Sequence, residues 1–361
     1  MLLRGDSITF SSDYGGGAPP AFLYPQSCSV PAPEHVYGSA PVMFLTHDTP
    51  SRVAACGGRV VENGTNPLFS SWHDFRFTNS CLVLHNGSWS ADELDNLPDS
   101  LVPTCTAGWI PGYNLKSVRL PAGVFFLAQC RYNDPTLRMA FLQANSRSWL
   151  PAADLPYTIG YKGVVCAEPI SPHSFIILTG GCNYGRWNEA SPAQIFEFDT
   201  RLAGAVPTGP GWLSNDTWPP MDFRSTWSDG VSEWHGEGCV CGKIGNKLIV
   251  AGHKFDSFVS ERSPFYRTTQ MINLDTKTFK NGPLMRVNHG RDSFNFLSIK
   301  GRLYAIGGWV ESSPMAQDMT PLLSDVEVYD EAAEVWRTAP DLPFPLATYG
   351  SVAVPLNSVC G

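Results

Sequence analysis

Phe294-Asn-Phe-Leu-Ser-Ile299, Arg302-Leu-Tyr-Ala-Ile-Gly-Gly308, Val326-Glu-Val-Tyr-Asp330, Glu334-Val-Trp336 and Asp341-Leu-Pro343 follow one another in a single stretch of the chain. The first four are short, β-rich runs separated by turn residues. The run before Gly307 is apolar and β-branched, as a strand buried on both faces requires, and the paired glycines end it with a tight turn free of Cβ clashes. Val326 and Val328 alternate with Glu327 and Tyr329 at the period of two of a half-buried strand, and Asp330 opens the turn toward Trp336. Leu342-Pro343 marks the exit toward whatever follows.

The same order recurs four times upstream. One copy has Val53-Ala-Ala-Cys-Gly-Gly58, Cys81-Leu-Val-Leu84, Trp89 and Leu97-Pro98. A second has Val124-Phe-Phe-Leu-Ala-Gln-Cys130, Met139-Ala-Phe-Leu142, Trp149 and Leu155-Pro156, with Cys130-Arg131 where the glycine pair is expected. A third has Phe175-Ile-Ile-Leu-Thr-Gly-Gly181, Ile195-Phe-Glu-Phe-Asp199, Trp212 and Pro219-Pro-Met221. The fourth has Lys247-Leu-Ile-Val-Ala-Gly-His253, Met271-Ile-Asn-Leu-Asp275, Phe279 in place of Trp, and Pro283-Leu-Met285. A four-part unit repeated at this spacing signals an array of four-stranded sheets, and a β-sandwich has no reason to repeat one.

These residues resemble the kelch repeat: an apolar strand ending in Gly-Gly, a Tyr-Asp strand, and a Trp several residues later. The resemblance covers about residues 37–354 and implies an all-β, kelch-type β-propeller forming one domain over residues 1–361. The number of blades follows from the ends. Val36-Tyr-Gly-Ser-Ala-Pro-Val42 and Thr348-Tyr-Gly-Ser-Val-Ala-Val354 both read as first strands. The second lacks three strands after it, so residues 1–36 are expected to complete a closing blade with it, giving six four-stranded blades. Closure removes sheet edges that would otherwise pair with other chains.

Composition agrees with short strands and many turns. The 361 residues include 33 Gly and 30 Pro, with 12% aromatic and 16% charged residues. A formal net charge of −8 is spread along the chain without a basic run, which argues against nucleic acid as a partner. The chain has no stretch of about 18 apolar residues to insert in a membrane. Residues 1–15 carry Arg4, Asp6 and Asp13 rather than a signal-peptide pattern. Arg4-Gly-Asp6 spells an integrin-recognition tripeptide, but three-residue matches are common by chance.

Ten cysteines leave the compartment open by number alone. Cys56 ends the second strand of its unit and Cys81 begins the third, which places them side by side on antiparallel strands where a disulfide would staple the insert between them. Cys28 and Cys360 lie in the terminal segments expected to meet in the closing blade, so a bond there would latch the ring. Cys239-Val-Cys241 has metal-like spacing with His235 near it, but residues two apart share a strand face and a small-residue packing site on a first strand is the reading it supports, and no metal or other cofactor is expected. The Cys56/Cys81 staple, with the sequon at Asn86 following on the same turn, points to an extracellular glycoprotein, the alternative being cytoplasmic; the sequons at Asn63 and Asn215 permit secretion without showing it.

Neither a nucleophile elbow nor a phosphate or dinucleotide loop is present, so a non-enzymatic protein is expected. The inserts after each second strand, at 59–79, 182–193, 253–268 and 309–324, are long and gather on one face. Loops on a rigid scaffold are where binding residues concentrate. Tyr184, Arg186, Trp187, Phe258, Arg262, Tyr266 and Trp309 are of the types enriched at binding hot spots and are the candidate contact residues for a protein partner. The alternative is a carbohydrate-binding or sugar-modifying propeller, mutarotase-like or oxidase-like, with a glycan as partner. It would bring Asp222, Arg224, Arg291 and Asp292 together at one mouth of the channel.

Overall fold

The computed structural model describes residues 42–48, 51–61, 75–85, 88–101, 113–130, 134–157, 164–179, 194–219, 240–251, 267, 269–286, 291, 294–308 and 323–342. In chain order these form β1 (Val42–Leu45), β2 (Val53–Cys56), a separate hairpin of β3 (Arg59–Val61) and β4 (Phe75–Phe77), then β5 (Cys81–His85) and β6 (Ser88–Ser90). Strands β1, β2, β5 and β6 make blade one, and the β3–β4 hairpin belongs to its insert. Blade two is β7 (Tyr113–Leu120), β8 (Gly123–Cys130), β9 (Asp134–Gln143) and β10 (Trp149–Ala152). Blade three is β11 (Val164–Pro169), β12 (Ser174–Thr179) and β13 (Gln194–Asp199), its fourth strand reduced to a bridge between Phe198 and Trp212. Blade four is β14 (Val240–Ile244), β15 (Lys247–Ala251), β16 (Thr269–Asn273) and β17 (Thr278–Asn281). Blade five is β18 (Asn295–Ile299), β19 (Arg302–Ile306), β20 (Val326–Asp330) and β21 (Val335–Ala339).

All pairing within blades is antiparallel and consecutive, and the register repeats from blade to blade. Trp89, Trp149, Trp212, Phe279 and Trp336 each stand opposite an apolar residue of the third strand: Leu84, Leu142, Phe198, Ile272 and Tyr329. The five aromatic positions expected from the sequence, Trp212 and the Phe279 replacement included, are therefore structurally equivalent.

The exit residues are equivalent too. Leu97 N–H donates to Asn79 O at 2.8 Å, Leu155 to Leu137 O at 3.1 Å, Met285 to Arg267 O at 2.7 Å and Leu342 to Ser324 O at 2.7 Å. The acceptor lies just before the third strand in blades one, four and five and within it in blade two, so the exit segment is hydrogen-bonded back to the sheet before the next blade begins; Pro220 and Met221 of the blade-three exit lie outside the described residues.

The core lies between blades rather than under one sheet. Phe125 and Phe141 of blade two pack with Phe175 and Phe198 of blade three, with ring centroids 5.1 Å apart for Phe125–Phe175 and 5.3 Å for Phe125–Phe198. Phe44 and Cys56 of blade one share a cluster with Phe126 and Trp149 of blade two. Ile176 and Leu178 meet Leu248 and Val250 across the next seam, and Ile249 and Met271 meet Leu303 and Trp336 across the one after it. First strands of successive blades are neighbours, which places β1, β7, β11, β14 and β18 round the axis. Gly242 allows one such approach: a Cβ there would lie 2.5 Å from Leu303 Cδ1 and 2.7 Å from Phe296 Cβ.

Five blades are thus present among the described residues. The sixth, expected from residues 1–36 and the C-terminal segment, and the Cys28–Cys360 latch both lie outside them.

Candidate functional site

Two faces result from the antiparallel meander. One carries the turns between first and second strands and between third and fourth. The other carries the departures from β2, β12, β15 and β19 toward the inserts, their returns at β5, β13, β16 and β20, and the connections between blades.

In blades one and five the departure is a glycine pair. Gly57 and Gly58 have φ of 71° and 102°, and Gly307 and Gly308 have 63° and 110°, all in the left-handed region that penalises a Cβ. Gly57 N–H donates to Ser80 O and Gly307 N–H to Asp325 O, while Gly58 O and Gly308 O accept from Thr78 and Leu323. The backbone thereby leaves the sheet and returns to it with its polar groups paired at the base of the insert.

Side chains reinforce each base differently. Blade one has a disulfide between Cys56 and Cys81, directly paired residues with Cα atoms 4.1 Å apart, as their neighbouring strand positions predict. Blade five has Arg291, 1% exposed, whose Nη1 donates to Ala305 O and Asp325 O at 3.1 Å each and whose Nη2 lies 3.3 Å from Glu327 Oε2. Glu327, also 1% exposed, accepts the Arg286 backbone N–H through Oε1. In blade four the guanidinium of Arg267 donates to Met285 O, and Thr269 Oγ1 donates to Pro283 O at 2.7 Å. Arg291, a sugar-mouth candidate in the sequence, is thus buried in this clamp; Asp222, Arg224 and Asp292 lie outside the described residues.

All seven candidate contact residues, Tyr184, Arg186, Trp187, Phe258, Arg262, Tyr266 and Trp309, lie outside the described residues as well. The structure places the strand ends that carry their inserts, not the side chains.

On the first strands, the seam between blades three and four carries a cross-link and two charged residues beside its apolar core. Cys166 on β11 and Cys241 on β14 form a disulfide, with Cα atoms 5.6 Å apart. Cys241 is therefore a cross-link, which corrects the reading of Cys239-Val-Cys241 as a simple packing site; Cys239 itself lies outside the described residues. Nothing in the sequence near Cys166 signalled the pairing, because the partners belong to different repeats. Glu168 and Lys243 stand two residues beyond the cysteines on the same strands, which puts them on the same strand faces and toward the same seam. Burial pushes the Glu168 carboxyl up to about 7, against the opposing pull of Lys243 and then Lys116 on β7.

On the face opposite the inserts, a pocket of about 280 Å³ opens between blades one and two, lined by Thr46, His47, Asp48, Arg52, Glu93 and Arg147 among others. Its charges are engaged within the protein: Arg52 pairs with Asp48 at 2.7 Å and with Glu93, and Arg147 donates to Asp92 O. The His47 ring nitrogen Nε2 bonds Leu120 O at 2.7 Å, and burial, followed by the nearby Arg119, lowers its pKa. This pocket gave no signal in the sequence, because its residues come from turns of two blades.

No group of three or more His, Cys, Asp or Glu among the described residues is arranged to hold a metal ion, and no helix among them is long and apolar enough to cross a membrane. Of the three sequons, Asn215-Asp-Thr217 is described: Asn215 is exposed at the start of a short 3-10 turn capped by Ser214.

The kelch motif family matches residues 290–343, the span of blade five together with the Arg291 clamp. With that motif in blade five, its aromatic position recurring in all the other blades and its exit hydrogen bond in blades one, two and four, the match and the arrangement together support a kelch-repeat β-propeller.

Proposed function

We propose that this propeller is a non-enzymatic protein-binding scaffold whose contact face is the one carrying the inserts. The observation behind the reading is that four of the five blades release an insert from the same edge, and that in blades one, four and five side-chain bonds hold its base. Pre-organised bases lower the ordering cost of binding. The fold by itself licenses no chemistry, and kelch propellers as a class serve as protein-binding scaffolds. Tyr184, Arg186, Trp187, Phe258, Arg262, Tyr266 and Trp309 supply the aromatic and guanidinium anchors that such a face uses.

We also propose an extracellular setting, supported by two disulfides and by an exposed acceptor at Asn215.

The test is a matched pair of variants measured against a partner that co-purifies from the native source. Alanine at Arg186, Trp187, Arg262 and Tyr266 together is expected to weaken that complex at least tenfold. Alanine at Asn145 and Lys300, in turns of the opposite face, is expected to leave it unchanged. Equal loss from both sets, or from the second alone, rejects the insert face.

A further inference from the structure

We propose that the Cys166–Cys241 disulfide is a redox-responsive lock on the seam between blades three and four, distinct in role from the Cys56–Cys81 staple. The two bonds sit in different mechanical places. Cys56 and Cys81 face each other on neighbouring strands of one sheet, already joined by backbone hydrogen bonds, and both are 0% exposed. Opening that bond leaves the sheet paired. Cys166 and Cys241 join the first strands of two separate sheets that share no β-ladder among the described residues. Apart from this bond the seam is held by side-chain packing, chiefly Ile176, Leu178, Ile195, Leu248, Val250 and Ile272.

The seam cysteines are also the more accessible pair, at 5% and 8% exposed, and they lie on axis-lining strands. Lys243, two residues from Cys241, puts a cation on the strand face that carries the sulfur that would leave as thiolate. Glu168 stands two residues from Cys166 and turns toward the same seam, so a carboxyl and an ammonium flank the bond. Neither polar group has a place in an ordinary inter-blade core, and both favour solvent entry once the bond opens.

The chemistry is thiol–disulfide exchange. A low-molecular-weight thiolate attacks one Sγ, the Sγ–Sγ bond breaks, and the other cysteine leaves as thiolate. A second thiolate then resolves the mixed disulfide, releasing the oxidised reductant and leaving two protein thiols, a two-electron reduction overall. The consequence is a looser seam between the sheets that carry β12 and β15, and so a change in spacing between two insert departures without unfolding either blade.

The test uses the full chain in glutathione buffers of graded ratio. Differential alkylation and mass spectrometry follow the Cys166 and Cys241 peptides against those of Cys56 and Cys81, and hydrogen exchange follows the strands. The seam pair is expected to reduce at a glutathione ratio at least tenfold less reducing than the blade-one pair. On reduction, exchange should rise in β11 and β14 and stay unchanged in β8 and β19. Reduction of both pairs together, reduction of Cys56–Cys81 first, seam cysteines that are never linked in the native protein, or unchanged exchange in β11 and β14 after reduction would each overturn the proposal. Cys166→Ser with Cys241→Ser should reproduce the exchange change without reductant. Because the wild-type titration needs no variant, misfolding of this one does not affect the outcome.

Discussion

Blades two and five solve the same construction problem in opposite ways. In blade five, β19 stops at Gly307-Gly308, an insert leaves, and a buried Arg291–Glu327 pair gathers the returning backbone. In blade two no glycine pair interrupts the second strand. β8 runs the full eight residues Gly123–Cys130 and β9 ten, and their ladder continues to the pair Cys130–Asp134. The backbone itself closes that end among the described residues. An insert therefore costs a blade part of its ladder, and the loss is offset by something else: an ion pair in blade five, a disulfide in blade one, and hydrogen bonds from Arg267 and Thr269 in blade four.

The largest effect expected from breaking this comparison is at the ion pair. Arg291→Met leaves Glu327 buried without its cation and should cost about 3 to 5 kcal/mol in denaturant unfolding. Pairing it with Glu327→Leu should recover most of that loss, since a buried ion pair and a well-packed apolar pair of similar volume differ little. Hydrogen exchange should locate the damage in β20 and β21 and spare β8 and β9; equal loss in blade two would show that the clamp is not local.

The blade-one clamp comes next. Cys56→Ala with Cys81→Ala removes a cross-link spanning 25 residues, for which chain entropy gives about 3 kcal/mol. Calorimetry in the absence of reductant is the measurement. A loss below about 1 kcal/mol would mean that the blade-one glycine turn holds its insert without help.

Glu168 gives a smaller, pH-dependent effect at a seam rather than at an insert base. Its folded pKa, near 7, lies above the ordinary carboxylate value, so the folded state holds its proton where the unfolded state has released it. Below about pH 4.5 both states are protonated and the residue is neutral for stability. As pH rises from there to about 7, stability should fall by up to about 2 kcal/mol, after allowing for the side chain's partial exposure, and level off above. Glu168→Gln should abolish that slope in urea midpoints measured from pH 4 to 8, and a slope surviving in the variant would assign it elsewhere.

The smallest difference contrasts the wedge tryptophans of the two blades. Trp149 Nε1 donates to Asp95 O of the preceding blade at 3.1 Å, and Trp212 does the same to Ala153 O. Trp336 Nε1 is buried without a hydrogen-bond partner among the described residues. Trp149→Phe and Trp336→Phe lose similar packing, but only the first loses a hydrogen bond. It should be the more destabilising by about 1 kcal/mol in parallel unfolding curves, and reversal of that order would break the equivalence of the two positions.

What was legible in the sequence follows the range of the interactions involved. The four-strand unit, the five aromatic positions, the exit residues and Cys56–Cys81 all depend on spacing within one repeat, where strand period and turn chemistry are written locally. The absence of a glycine pair in blade two was visible as well, though only the structure shows that the strand simply continues. The seven insert residues were chosen by residue type alone, since insert loops carry no periodicity that would orient a side chain.

By itself the sequence determined that this chain repeats a four-stranded unit, where each unit bends, and where its aromatic ring stands, because those follow from alternation and glycine freedom along a few residues. The tertiary structure alone decided that Cys166 meets Cys241, that Arg291 and Glu327 are buried together, that the indoles of Trp149 and Trp212 bond the preceding blade, and that Glu168 sits in a seam raising its pKa. Those contacts join separate repeats or distant segments, and which faces meet is set by how one blade packs on another rather than by any local pattern.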